Sequence, residues 1–156
     1  MLKLYIIESV SSDMKNNESK IENECLRPLQ SGMIQIKVIS VSKLNVFSPN
    51  VNLSAVISVN GKQFATSLNK FGRWNEFFDI PDDKDVEVDL MIKENNSYVV
   101  SLLWFKPSEL REAEALRKQL LNENGEDYGL YNLKLEPSGE IQLMMKYGIY
   151  IYNKTI

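Results

Sequence analysis

The chain of 156 residues has ordinary globular proportions, with 44% apolar and 25% charged residues. This length is typical of a single domain, which buries roughly 70% of the surface that the unfolded chain exposes. The formal net charge of −3 argues against nucleic acid as a partner and against a membrane anchor held by charge alone, because both require clustered lysine and arginine.

The side chains needed for several kinds of catalysis are missing. The sequence has no histidine, which excludes serine–histidine triads, histidine general bases and zinc sites built on histidine. The single cysteine, Cys25, has no histidine to activate it and no partner for an internal disulfide, which suits a reducing compartment. No apolar run reaches the length of a membrane span, and no secretory signal is present, so we expect a cytoplasmic protein without a transmembrane segment or a cofactor.

Strand signals begin after a polar N-terminal region. Residues 1–31 are predicted to be a flexible linker or a weak helix, since positions 11 to 31 are rich in Ser, Asn, Glu and Lys. The first predicted strand, 33–42, places Ile34, Ile36 and Val38 on one face. The second, 52–60, ends at Asn60-Gly61, the strongest short signal for a hairpin, and 62–67 returns from it.

The next three predicted strands supply most of the aromatic residues. In "RWNEFFDIP" (73–81), a period of two places Trp74, Phe78 and Ile80 in the core, while Asn75 and Glu76 are expected to serve strand pairing. The strand 85–93 alternates, with an inward set of Val86, Val88, Leu90 and Ile92. The nearly continuous apolar run 98–105 predicts a strand buried on both faces, with Trp104 in the core.

One strong helix signal interrupts the strands. The segment 107–121 has a proline in its first turn and Gly125 as a stop, and it is predicted to be a surface insertion covering one edge of the sheets. The residues expected to face the sheets are Leu110, Ala113, Leu116 and Leu120. Strands 129–135 and 139–147 complete the pattern. It predicts an all-β, eight-stranded antiparallel β-sandwich over residues 32–148 with one inserted surface helix and a tail at 149–156.

The strand order also predicts which loops lie together. Antiparallel strands reverse direction at each connection, so the first, third and fifth connections (43–51, 68–73 and 94–97) share one end. The Asn60-Gly61 turn, the acidic turn 81–85 and the helix share the other end.

Several segments, in this order, resemble the C2 domain of the protein kinase C type. They are "GMIQIKVISVSKL", "RWNEFFDI", "VEVDLMI" and the closing "LKLEPSGEIQLMMKY". The stretch "SLLWFKPSELREAEALRKQL" is similar to the segment with an inserted helix in the calcium-independent C2 domain of fungal protein kinase C and related Rho-effector kinases. The resemblance covers residues 32–147 and implies a β-sandwich with the second of the two known strand permutations.

This resemblance does not make the chain a kinase. Its sequence has no Gly-rich nucleotide loop, no "HRD" with a following Asn and no "DFG". The chain is therefore predicted not to be an enzyme, although a longer parent of this type would be a serine/threonine kinase. The remaining acidic residues support this, because Glu109, Glu112 and Glu114 alternate with Arg111 and Arg117 in a pattern typical of a salt-bridged helix surface.

The loop sequences also argue against a calcium site. Ca²⁺ takes six to eight oxygen ligands, and calcium-binding C2 domains supply about five aspartates from two loops at one end. Here the three corresponding connections offer only Glu94. Asp82, Asp83 and Asp85 are predicted to lie at the opposite end, as a solvated turn. We therefore expect calcium independence and no metal site.

The same three connections carry the candidate contact residues. Aromatic rings and cations together suit a bilayer interface, where rings sit at headgroup level and cations meet anionic lipid. Capping of the core by Phe47 and Tyr98 is an equally open reading. The sequence thus indicates a non-catalytic targeting or regulatory module that contacts anionic phospholipid or other domains of a kinase parent. The alternative is a protein–protein interaction domain without lipid affinity. The candidate residues are Lys43, Phe47, Lys70, Phe71, Arg73 and Tyr98.

Overall fold

A computed structural model describes residues 32–45, 51–121 and 128–147, which form eight β-strands and one α-helix. The predicted segments 1–31 and 149–156, and also Phe47 and Gly125, lie outside these residues. The elements are β1 (Met33–Ser42), β2 (Leu53–Val59), β3 (Lys62–Ala65), β4 (Arg73–Pro81), β5 (Val88–Glu94), β6 (Tyr98–Phe105), α1 (Pro107–Leu120), β7 (Tyr128–Lys134) and β8 (Glu140–Tyr147).

The strands form two antiparallel four-stranded sheets. Sheet A has the order β4-β1-β8-β7, and sheet B has the order β3-β2-β5-β6. The predicted eight-stranded antiparallel β-sandwich with one inserted helix is therefore confirmed. The core between the sheets contains the predicted inward residues of β1 and β5 together with Trp74 and Ile80. Burial of each such side chain contributes roughly 1.5–3 kcal/mol, which makes this core the main source of stability.

Two irregularities interrupt the period of two in sheet A. Between Val38 and Ser40, β1 has one residue more than β8, while β4 has one residue more than β1. In β4, Trp74 and Asn75 together lie opposite a single residue of β1. Asn75 has a φ of +54°, a left-handed conformation that asparagine tolerates. A β-bulge of this kind bends the strand and re-aims its side chains. Trp74 therefore remains buried at the very start of β4.

The prediction for β6 is wrong in two respects. The strand is not buried on both faces, because it is the edge strand of sheet B and exposes Tyr98, Val99 and Leu102. Trp104 is not in the core either. It is half-buried on the outer face of sheet B, opposite the exposed Asp89. An apolar run alone does not distinguish a central strand from an edge strand whose outer face is also apolar.

The helix closes one end of the sandwich and Leu110 faces it as predicted, but the rest of the contact face differs from the predicted one. Pro107, Leu110 and Glu114 are its buried residues. Ala113, Leu116 and Leu120 point away from the sandwich, so their assignment to the contact face is wrong. The physical reason is that polar contacts, which the apolar spacing does not reveal, hold the inward face.

These polar contacts surround the buried residue Glu114. Its Oε1 accepts a hydrogen bond from Arg117 Nη2 at 2.7 Å, so the inward carboxylate has a cationic partner. One helical turn earlier, Arg111 Nη1 lies 3.4 Å from Asp82 Oδ2, and its guanidinium carbon lies 4.3 Å from the centre of the Tyr147 ring. Arg111 therefore fastens the helix to the acidic turn and to β8, whereas Arg117 neutralises Glu114 within the helix.

Two tyrosines extend this network into the core. The hydroxyl oxygens of Tyr131 and Tyr147 lie 2.8 Å apart, and Tyr131 also donates to the carbonyl of Leu110 at 3.4 Å. Burial, together with the neighbouring Tyr147, raises the pKa of Tyr131, so this phenol stays protonated in the folded protein. The inserted helix is thus joined to sheet A by both apolar packing and hydrogen bonds.

Two leucines of the helix test this docking. Leu110 is 0% exposed and Leu116 is 57% exposed. We expect Leu110→Ala to lower the free energy of unfolding by about 2–5 kcal/mol, the usual cost of a buried leucine. The matched change Leu116→Ala should alter it by no more than about 0.5 kcal/mol. Urea titration of both variants measures the difference, and equal losses would show that the helix is not docked through Leu110.

Candidate functional site

Four connections meet at one end of the sandwich, which we call the loop end. The pairings of Ser42 with Glu140 and of Leu53 with Glu94 bring the β1–β2, β7–β8, β5–β6 and β3–β4 connections together there. The Asn60-Gly61 turn, the acidic turn and α1 lie at the opposite end, which we call the helix end. The predicted grouping of the first, third and fifth connections is confirmed, and the seventh joins them.

The β3–β4 connection is fixed to sheet B through Leu53. Leu53 and Asn69 exchange two backbone hydrogen bonds, each 2.9 Å long. The Leu53 carbonyl also accepts a hydrogen bond from the Trp74 indole nitrogen at 3.3 Å. Trp74 therefore has a polar role in addition to its place in the core, because it ties the start of β4 to β2.

Asn69 shapes the tip of this connection. Its side-chain oxygen accepts hydrogen bonds from the backbone nitrogens of Phe71 at 2.8 Å and Arg73 at 3.2 Å. The carbonyl of Gly72 accepts from Val41 at 2.9 Å, which joins the tip to sheet A. As a result the Phe71 ring is held outward and is 73% exposed, with Lys70 and Arg73 exposed on either side.

Glu76 fastens the other side of the same connection. Its carboxylate accepts hydrogen bonds from the Ser67 nitrogen at 3.1 Å and from the Ser67 hydroxyl at 2.7 Å. The sequence predicts a role in strand pairing for this residue. Glu76 does pair with Val38, and its side chain additionally positions a loop. A glutamate within a strand carries no signal for such a contact, since its partner is nine residues away and outside any regular spacing.

The β5–β6 connection is a tight turn of two asparagines. Asn95 and Asn96 have φ values of +51° and +59°, as a type I′ hairpin requires, and Ser97 donates to the Glu94 carbonyl at 2.9 Å. The side chain of Asn95 accepts from the Asn52 nitrogen at 3.0 Å, which links the turn to β2. Tyr98 follows this turn and is 73% exposed, so it does not cap the core.

The charge at the loop end is more balanced than the sequence suggested. Lys43 Nζ lies 3.2 Å from Glu140 Oε1, and Glu136 is exposed on the β7–β8 connection. The sequence pattern does not indicate these two carboxylates, because it places only the first, third and fifth connections at this end. In the described part of this end, Lys70 and Arg73 are exposed on or next to the β3–β4 connection, and Lys134 is exposed at the end of β7. Leu68 and Val99, also missed, add exposed apolar surface beside Phe71 and Tyr98.

The acidic turn lies at the helix end, far from these residues, and its aspartates have partners within the fold. Asp82 pairs with Arg111, and the side chain of Asp83 accepts from the Asp85 nitrogen at 3.0 Å. Across residues 32–45, 51–121 and 128–147, no group of three acidic, cysteine or histidine side chains is arranged to hold a metal ion. In the same ranges, no helix is both long enough and apolar enough to cross a membrane.

Known structures with this arrangement are C2 domains. A calcium-bound structure of two tandem C2 domains of extended synaptotagmin 2 aligns with a TM-score of 0.58 and 16% identity, over 85% of this chain and 48% of that one. A single C2 domain of plant extended synaptotagmin 1 aligns with a TM-score of 0.54 and 12% identity, over 80% of this chain and 99% of that one.

Human GIVD cytosolic phospholipase A2 aligns with a TM-score of 0.55 and 13% identity, over 73% of this chain but only 16% of that protein. No protein-family model matches the sequence, and no curated protein matches it either. At these identities the likeness shows the fold, so the chain has the C2 fold. It spans about half, 48%, of the extended synaptotagmin 2 structure, which contains two such domains.

Gly72 gives a test of how tightly the loop end is built. Its φ is +64°, and a Cβ placed there would lie 2.5 Å from the side chain of Val41. Gly61 also has a positive φ, +79°, but has open space around it. We expect Gly61→Ala to lower the free energy of unfolding by about 1–2 kcal/mol, because alanine is strained in the left-handed conformation. Gly72→Ala should lower it by roughly a further 1–3 kcal/mol, because the added methyl group would also clash with Val41.

Urea unfolding of the two glycine variants separates the two costs. Equal losses would mean that the contact between the tip of the β3–β4 connection and β1 is loose.

Proposed function

We propose that the chain is a non-catalytic, calcium-independent C2 module of a protein kinase C-like signalling protein, which makes weak contacts with anionic phospholipid surfaces through its loop end. The observation that carries this proposal is the pair of aromatic side chains, Phe71 and Tyr98, each 73% exposed at the same end as Lys70 and Arg73. Solvent-exposed aromatic rings beside cations suit the membrane interface. The setting would be cytoplasmic and peripheral to the membrane.

The expected binding is weak because few groups contribute. Insertion of Phe71 would supply roughly 1.5–3 kcal/mol, and each cation near an anionic surface adds about 1 kcal/mol. Lys43 adds little, since Glu140 already neutralises it. Affinity of this size suits a module that assists other domains of a parent kinase, with the kinase type inferred from the fungal protein kinase C resemblance.

The ligands available support calcium independence. One similar structure, extended synaptotagmin 2, is of a calcium-bound form. In this chain the sequences of the first three connections at the loop end contain a single carboxylate residue, Glu94. Glu136 and Glu140 lie at the same end, but Glu140 pairs with Lys43. The described residues hold no group of three acidic side chains arranged for a metal ion, whereas a six- to eight-coordinate Ca²⁺ site uses several carboxylates.

Thermal unfolding checks this point. We expect millimolar Ca²⁺ to leave the melting temperature unchanged. A ligand present at 100 times its dissociation constant would stabilise the native state by about 2.7 kcal/mol and raise the melting temperature by several degrees. A shift of that size, reversed by EDTA, would contradict calcium independence.

Liposome binding checks the lipid contact. On vesicles containing phosphatidylserine, Lys70→Glu with Arg73→Glu should weaken binding by at least about 2 kcal/mol, or roughly thirty-fold, and the loss should shrink at high salt. The charge-matched control, Lys62→Glu with Lys84→Glu, alters two exposed lysines at the helix end and should bind nearly as wild type.

Phe71→Ala should weaken binding roughly ten- to hundred-fold at both salt concentrations, because its contribution is hydrophobic. The control Leu116→Ala removes an exposed apolar side chain from the helix end and should have no effect. Equal binding by wild type and all four variants, or no binding by any of them, would refute the lipid contact.

A second candidate function is supported by the helix. Leu116, Leu120 and Leu121 are exposed in or next to α1, at 57%, 74% and 57% respectively. Exposed leucines grouped on one element are typical of protein contacts. This arrangement favours a protein–protein interaction domain, docking onto another domain of a longer parent without lipid affinity. Absence of liposome binding would favour this alternative.

A further inference from the structure

The outer face of sheet B carries apolar side chains at positions where the solvated face of an antiparallel sheet is normally polar. Met91 on β5 and Leu102 on β6 are paired neighbours on this face, and the row continues to the buried Val56 on β2. Leu102 is 52% exposed and Met91 is half-buried. An apolar row therefore crosses three strands and is partly open to solvent along β5 and β6.

Opposite charges flank this row on β5. Lys93 lies two residues from Met91 toward the loop end, and Asp89 lies two residues from it toward the helix end. Alternate residues of a strand point the same way, so both charges share the outer face with Met91. Asp89 is exposed and Lys93 is half-buried. Within the described part of the chain neither side chain forms an ion pair, so both can meet charges on another molecule.

The edge strand β6 places apolar residues beside these two charges. Val99 pairs with Lys93 and is 47% exposed, while Trp104 pairs with Asp89 and is half-buried. The middle apolar row therefore lies between a row with a cation and a valine and a row with an anion and a tryptophan.

We propose that two copies of this chain pack these faces against each other, related by a two-fold axis that runs along the apolar row. This axis brings the row of one copy onto the same row of the other, as an isologous interface requires. It also exchanges the flanking rows, so Lys93 of each copy faces Asp89 of the other, and Val99 faces Trp104. A two-fold axis parallel to the strands would instead oppose two lysines and two aspartates. The charge pattern therefore selects the dimer in which the two loop ends point in opposite directions.

The dimensions of the face indicate a weak dimer. Four strands spaced about 4.8 Å apart, with a length of about 24 Å for the seven residues of β5, present roughly 450 Å² per copy, or about 900 Å² for the pair. Stable complexes bury about 1,200–2,000 Å², and smaller interfaces are transient. An anionic membrane would repel Asp89, whereas a second copy offers it a lysine, so the face suits this chain better than a lipid surface.

Sedimentation velocity of the full chain tests the dimer, in reducing buffer so that Cys25 cannot cross-link two copies. Wild type should pass from monomer to dimer between about 10 µM and about 1 mM, the range of a weak interface. Asp89→Lys and Lys93→Asp should each raise the dissociation constant at least about ten-fold, because each opposes like charges at both contacts. An equal mixture of the two variants should restore association, since every contact in the mixed pair then joins opposite charges.

Matched variants elsewhere provide the controls. Asp85→Lys and Lys84→Asp make the same charge changes at exposed residues of the helix end, and both should dimerise as wild type does. Leu102→Asp should abolish the dimer, whereas Leu116→Asp changes an exposed leucine of α1 and should not. Far-UV circular dichroism verifies that each variant is folded.

Three results would overturn the proposal. The first is a wild-type chain that stays monomeric at about 1 mM. The second is a dimer that the two charge variants do not weaken, or that their mixture fails to restore. The third is a dimer lost in Leu116→Asp but kept in Leu102→Asp, which would assign the contact to α1.

Discussion

The pair of hydrogen bonds between Leu53 and Asn69 is the constraint on which the loop end depends. The β3–β4 connection must leave sheet B and enter sheet A, and at that crossing its backbone groups lose their strand partners. Buried groups left unpaired would each cost about 1–3 kcal/mol. Leu53 supplies partners for Asn69 and for the Trp74 indole, so one residue of β2 fixes both the loop and the first residue of β4 that enters the core. The outward position of Phe71 is a consequence of that fixation.

The helix end is organised by a charged residue that faces inward. Successive residues of a helix are about 100° apart, so Pro107, Leu110 and Glu114 share one side, and Leu116 and Leu120 lie well away from it. A count of apolar residues favours the side that carries Leu116 and Leu120. The other side packs against the sandwich, because Arg117 neutralises Glu114 there and Arg111 contacts both Asp82 and the Tyr147 ring. Buried ion pairs are specific rather than strongly stabilising. They select which face docks, and Leu110 supplies the apolar contact.

Sequence reasoning reached the strand count, the hairpins, the inward residues of β1 and β5, and the grouping of loops at one end, because each follows from local periodicity or from reversal of direction. It failed where the answer depends on neighbours in space. The edge position of β6, the outward Trp104 and the helix face depend on which elements are adjacent. At the loop end, the aromatic and cationic residues of the β3–β4 connection were identified correctly by position. The contribution of Glu136 and Glu140 was not, since strands β7 and β8 follow a long helical insertion.

The charge balance at the loop end decides what kind of contact it can make. Glu140 neutralises Lys43, but Glu136 is bonded to Leu102 of β6, whereas Lys70 and Arg73 lie next to β4 at the opposite edge, so Glu136 does not offset these two cations. The whole chain has a net charge of −3, but salt screens its repulsion from an anionic surface beyond the Debye length of about 8–10 Å, so the charges closest to the surface matter most. Lipid affinity at this end would then combine the attraction of Lys70 and Arg73 with apolar side chains that enter the interface after contact. Phe71, Tyr98, Leu68 and Val99 are the exposed residues placed to do this, because hydrogen-bonded turns hold two of their supporting loops in position. The fold therefore contributes a rigid arrangement of aromatic rings and cations to this end.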